Sequence, residues 1–155
     1  MADTGIESLK VWQKATALAV KICSELLPQL PKAEEWALTS QLRRSAQSIP
    51  ANIAEGYGRY YYQENIRFCY IARGSLEETL SHLLLAQQLG YLSTEEIASL
   101  KAEINELRRM LNGYIAFLKR SKQGKNEPGA SLVVRDDPAV YGFGAEFDER
   151  DISDK

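Results

Sequence analysis

Gln41-Leu42-Arg43-Arg44-Ser45-Ala46-Gln47-Ser48-Ile49-Pro50-Ala51-Asn52-Ile53-Ala54-Glu55-Gly56-Tyr57-Gly58-Arg59 is the stretch whose reading decides the fold class. At helical spacing it has two faces. Leu42, Ala46, Ile49, Ile53 and Gly56 form a small apolar stripe. Gln41, Arg44, Ser45, Ser48, Asn52, Glu55 and Arg59 form a polar one. A helix of this kind buries one side in a core and offers the other to water or to a partner. Pro50 removes one backbone hydrogen bond, but the apolar spacing continues to Ile53, so a bend is expected there and not an end.

Three more helical patterns flank this one. Leu9, Trp12, Ala15, Leu18 or Ala19, Ile22 and Leu26 predict an amphipathic helix over about 6–27, stopped by Pro28-Gln29-Leu30-Pro31. The central helix is expected from about Lys32, with Glu34 and Glu35 in its first turn, to Tyr57, closed by Gly56 and Gly58. A third helix is expected from about Tyr62 to Leu89. Phe68, Ala72, Ser75 or Leu76, Thr79, Leu83 and Ala86 make one stripe, and His82, Leu85 and Leu89 begin a second. Gly74 and Ser75 lower its propensity and are expected to admit a close neighbour. Gly90 caps its end. Ser93 with Glu96 three residues on is a capping box for a fourth helix, whose period runs from Ile97 to Leu118. Short connections make consecutive helices antiparallel neighbours. The expected fold is all-α: an antiparallel up-down four-helix bundle over 1–121, followed by a non-helical tail.

The tail, 122–155, changes in composition. Lys122 to Gly129 reads as a linker, Ser131 to Arg135 as a short strand, and Val140 to Phe147 mixes aromatics with glycine before an acidic end. Such a segment cannot make a core alone. Its readings are disorder or an interaction arm.

The formal net charge of −2 argues against a broadly basic nucleic-acid binder. The charge is uneven, however. Residues 1–121 hold 14 Lys+Arg and 13 Asp+Glu, whereas 122–155 hold 5 and 8. Arg43, Arg44, Arg59, Arg67 and Arg73 stand against only Glu55 and Glu64 in the stretch 43–73. With Ser48 and Asn52 they are the candidate nucleic-acid or partner-binding residues. The plain reading of these arginines is a solvated surface with helix pairing; as a binding site, the chemistry suits phosphate contacts and a polar subunit interface equally well. Tyr57, Tyr60, Tyr61 and Tyr62 surround the following turn, where aromatics either stack bases or cap the bundle end.

Signals for catalysis are poor. His82 is the only histidine and lies among leucines; Glu77 and Glu78 point to different helix faces. Metal-spaced Cys/His sets, phosphate loops and nucleophile elbows are lacking, so no enzyme activity, cofactor or metal is expected. Cys23 and Cys69 lie in helical patterns and read as buried free thiols. No apolar run approaches the ~20 residues of a membrane span, and the first residues lack a signal-peptide core, so a cytoplasmic location is expected.

The stretch Leu38 to Ala46, then Ser48 to Gly56, Gly58-Arg59, Phe68, Ile71 to Glu78, and Gly90-Tyr91-Leu92 resembles the four-helix-bundle family of 23S rRNA intervening-sequence proteins. That family is similar to the accessory variability determinant of diversity-generating retroelements. The resemblance covers about 6–120. It implies a ring-like homo-oligomer, commonly a pentamer. In the retroelement branch it implies partnership with a reverse transcriptase and with RNA or a cDNA–RNA hybrid. That branch is strongly basic, which this chain is not, and the tail lies outside the usual domain.

Overall fold

A computed structural model describes residues 5–122 and Lys125. Four helices dominate it: α1 (Lys10–Lys21), α2 (Leu38–Tyr57), α3 (Tyr62–Gln88) and α4 (Thr94–Ser121). Among the described residues there is no strand. The tail readings, including the strand at 131–135, lie outside the described residues.

The first predicted helix is built from several pieces. A short 3-10 turn, Ile6–Ser8, precedes α1, and a π-helical turn, Ile22–Leu26, and a 3-10 turn, Leu27–Gln29, follow it. Pro28 has no N–H to continue an α-helical ladder. Just before it the ladder widens, with Leu27 N–H donating to Ile22 O. The second helix starts later than expected. Glu34 belongs to a separate 3-10 turn, Lys32–Glu34, and α2 begins only at Leu38. Glu34 still serves that start from outside, since its carboxylate accepts from Leu38 N–H at 3.3 Å. Trp36, between the two, is 87% exposed. Helix α2 then runs through Pro50 without ending, with Ile49 and Ile53 on either side fully buried.

The core is a continuous apolar cluster, with Leu42, Ile49, Ile53, Leu76, Leu83, Ile104 and Leu107 at its centre. The pairing order along it is regular. Ser45 meets Thr79, Ser48 meets Ser75, and Gly56 meets Asn65, so rising numbers on α2 meet falling numbers on α3. On α4, Tyr114, Asn112 and Arg108 meet Asn65, Arg73 and Glu77. Lys14 and Lys21 of α1 pair with Glu106 and Glu103.

The expected close approach at a glycine occurs at Gly56 and not at Gly74. A Cβ on Gly56 would lie 2.8 Å from Asn65 Oδ1 and 2.9 Å from Phe68 Cβ, whereas one on Gly74 would meet nothing within 4 Å. Gly56 is inside α2 and buried, not a terminator. The α3 end follows the sequence reading: Gly90 has φ +80, and its N–H bonds Gln87 O at 2.9 Å. So does the α4 start, where Glu96 N–H donates to Ser93 Oγ at 3.2 Å and Ser93 N–H to Glu96 Oε2 at 2.9 Å. The Ser93 N–H, a side-chain bond from Gln29 and the Ser93 hydroxyl together hold the Glu96 carboxyl below its ordinary 4.5.

Gly56→Ala should destabilise the fold by about 1–3 kcal/mol through overpacking against the fixed atoms of Asn65 and Phe68. Gly74→Ala should leave helical content and subunit stability intact. Urea unfolding of both variants checks this pair. Ser93→Ala should cost about 1 kcal/mol near neutral pH. Because folding lowers the Glu96 carboxyl, its contribution is complete above 4.5 and is lost as pH falls through the lowered folded value. The gap between wild type and Ser93→Ala should therefore narrow below that point in acid titrations of stability.

Candidate nucleic-acid interface

The seven candidate residues do not form one surface. Arg43 and Arg44 are exposed on α2, and their side chains make no ion pair or hydrogen bond with other described residues. Ser48 and Asn52 are half-buried in the α2–α3 seam. Ser48 Oγ bonds Ser75 Oγ at 2.9 Å, and Asn52 Nδ2 donates to Ser48 Oγ at 2.9 Å and to Ser48 O at 2.8 Å. Ser45, read as part of the polar face, is 2% exposed, and Thr79 Oγ1 donates to it at 3.0 Å. This half of the polar stripe is an interhelical seam of small hydroxyls. Its groups satisfy one another or the backbone, as buried polar groups must.

The other three arginines gather elsewhere. Arg59 pairs with Glu55 at 2.6 Å and lies over the Phe68 ring at 5.3 Å. Arg73 donates to Asn112 Oδ1 at 3.1 Å and lies 4.9 Å from the Tyr70 ring centroid. Arg67 is exposed one turn into α3. All three belong to the end of the fold where the α2–α3 turn sits. The C-terminal turns of α4 share that end. Asn65 Nδ2 donates to Tyr114 Oη at 3.2 Å, and Lys119 Nζ is 5.8 Å from the Tyr70 centroid.

Folding thus adds Lys119, Arg120 and Lys122 to the arginines, which sequence reasoning missed. The run Lys119-Arg120-Ser121-Lys122 was a visible signal, but its position far along the chain hid its neighbours. Residues 55–73 and 112–122 together hold six cations against Glu55 and Glu64. At the opposite end, residues 21–44 and 80–106 hold seven carboxylates against Lys21, Lys32, Arg43, Arg44 and Lys101. Positive charge is thus concentrated at one end of the near-neutral chain.

Aromatic surface accompanies the cationic end. Tyr60 is 57% exposed and packs edge-on against Tyr61 at 5.5 Å. Arginine and tyrosine side by side can pair with phosphates and stack on bases. Other titratable groups offer less. Cys69 is fully buried, and burial pushes its thiol up to about 12, so it stays protonated and unreactive. Cys23 is only half-buried. His82 Nε2 lies 3.4 Å from Glu78 Oε1 without forming a hydrogen bond. Among the described residues no cluster of three His, Cys, Asp or Glu could hold a metal. No helix among them is long and apolar enough to cross a membrane.

No curated protein matches the chain. Residues 7–113, which span α1, α2, α3 and most of α4, match the family described as 23S rRNA-intervening sequence protein. The match ends before Lys119, so the last cations of the polarised end lie beyond it. On this match the chain belongs to the 23S rRNA-intervening sequence protein family.

Proposed function

We propose that this chain is a non-enzymatic, homo-oligomeric accessory protein that binds RNA, or a cDNA–RNA hybrid, at the cationic end of its helices. The observation that carries this reading is the separation of charge: six cations against two carboxylates at one end, with Arg59 and Arg73 laid on aromatic rings. A phosphate chain is the natural complement of such a surface. The pairing order of the helices supports an antiparallel up-down bundle, which brings α4 to that end. The family's association with a 23S rRNA intervening sequence fits an RNA setting. The resemblance to the accessory variability determinant supplies a reverse transcriptase as the protein partner.

Assembly rests on a different observation. Ile71, Leu85 and Leu89 are 44%, 47% and 48% exposed on one side of α3, and Gly74 opens the same side. Positions 71, 78 and 85 lie two turns apart, so Ile71 and Leu85 share a stripe with Glu78 between them. A second copy covers such a stripe, and a head-to-tail contact that closes gives a ring, with five copies as the resemblance implies. Repetition in a ring multiplies the cationic end, so a near-neutral subunit suffices for binding.

Light scattering should give several times the 17.4 kDa subunit mass. The double variant Ile71→Glu/Leu85→Glu should fall to the monomer mass with its helical circular dichroism intact. A wild-type monomer contradicts the assembly reading. Affinity for single-stranded RNA, followed by fluorescence anisotropy, should fall steeply with salt. Replacing Lys119, Arg120 and Lys122 by glutamine should flatten the slope of log affinity against log salt by about 2, at ~0.7 per lost contact. Arg43→Ala/Arg44→Ala, which removes cations beside the Ser45–Thr79 level, should leave that slope in place. If the two variants exchange these results, the RNA surface is the outer face of α2.

A further inference from the structure

We propose that the acidic segment 146–154 of this chain's own C-terminal extension docks on the cationic end of the bundle. The inference rests on reading that end as a surface for polyanions. Three observations converge on it.

The first is charge complementarity. Residues 126–155 carry eight carboxylates and three cations, and Glu146, Asp148, Glu149, Asp151 and Asp154 crowd five of them into nine positions. The cationic end offers six cations against two carboxylates, whereas the opposite end carries seven carboxylates against five cations and is the poorer complement of such a segment.

The second is where the extension departs. Helix α4 stops at Lys122, which is left-handed at φ 49 and donates its N–H to Leu118 O at 3.2 Å. Lys125 N–H then bonds Lys122 O at 3.1 Å in a turn. The extension therefore leaves the fold from within the cationic end. Twenty residues, 126–145, separate that turn from Glu146. A chain of that length reaches at most about 66 Å. Packed helices are spaced about 8–10 Å apart, so every group on that end is within reach. Tethering at this range supplies a local concentration of order millimolar, enough to saturate weak ionic contacts.

The third is chemistry beyond charge. Tyr141, Phe143 and Phe147 accompany the carboxylates, and Tyr60 and the Arg59–Phe68 pair face solvent at the cationic end. Carboxylate and aromatic groups in the extension match arginine and tyrosine at the bundle end as phosphate and base would. A docked segment is then a competitor of nucleic acid, and RNA must displace it.

The test uses the full chain. Zero-length carbodiimide coupling, mapped by mass spectrometry, should join tail carboxylates to Lys119 and Lys122 and spare Lys32 and Lys101 at the other end. Cross-links spread evenly over all four lysines overturn the proposal. In parallel, the full-length variant Glu146→Gln/Asp148→Asn/Glu149→Gln/Asp151→Asn/Asp154→Asn keeps every core residue. It should bind a labelled single-stranded RNA about tenfold more tightly than wild type at low salt, as the loss of two or three competing exposed ion pairs gives. Equal RNA affinity of the two proteins overturns the proposal while leaving the RNA surface standing. Selective cross-links with no RNA binding by either protein support the docking and refute the RNA reading.

Discussion

At the α2–α3 turn, Asn65 lies against the bare backbone of Gly56 on one side and donates to Tyr114 on the other, while its Oδ1 faces Cys69 Sγ at 3.6 Å. One fully enclosed amide thus touches α2, α3 and α4 together. The contact needs a residue without Cβ at 56, because a Cβ there would meet the Asn65 side-chain Oδ1 and also the Phe68 Cβ and the Asn65 backbone oxygen, and the last two cannot swing aside. Farther along the same seam, Ser48–Ser75 and Ser45–Thr79 hold the helices by short hydroxyl contacts. Each such bond is worth only about 0.5–1.5 kcal/mol net. Their larger effect is on register: sliding α2 by one turn would bring buried hydroxyls against apolar side chains, where an unmade bond costs about 1–3 kcal/mol.

Register decides the electrostatics. With Gly56 fixed beside Asn65, the C-terminus of α2 and the start of α3 share a level with Tyr114, and the last turns of α4 project beside them. Lys119, Arg120 and Lys122 then join Arg59, Arg67 and Arg73. The same register places Glu95, Glu96 and Glu103 with Glu25, Glu34 and Glu35 at the other end. Individual exposed pairs such as Arg59–Glu55 contribute little to stability. The collective separation matters more, because a field of one sign over a surface draws in a polyanion and weakens with salt. A formal charge of −2 conceals this, since it averages two ends and an acidic extension.

Much of the fold was legible. Helical periodicity located all four helices, the Ser93–Glu96 spacing marked the α4 cap, and Gly90 marked the end of α3. The failures share a physical cause. Hydropathy assigned Ser45, Ser48 and Asn52 to the solvent face, yet small hydroxyls that satisfy one another pack between helices as readily as alanines do. Gly74 and Gly56 look alike in a sequence, and only the partner helix distinguishes a glycine that admits a neighbour from one that is open. Glu34 and Glu35 suit a first helical turn, but the two prolines at 28 and 31 and the 3-10 turn at Lys32–Glu34 postpone α2 to Leu38. The candidate site was half legible: Arg59, Arg67 and Arg73 lie at the cationic end, whereas the cations from α4 that join them are 46 to 63 residues away in the chain.

Aromatic residues mark the two ends differently, so the place where RNA binds can be read directly from which of them it touches. Tyr60 and Tyr61 lie among the cations, and Trp36, 87% exposed, lies among the carboxylates. Ultraviolet cross-linking of bound single-stranded RNA, with the attached peptides identified by mass spectrometry, reads which end the bases touch. RNA held at the cationic end should leave adducts on the peptides carrying Tyr60, Tyr61 and Tyr70 and none on the peptide carrying Trp36. Adducts confined to the Trp36 peptide, from an RNA that binds with ordinary salt dependence, would contradict that placement.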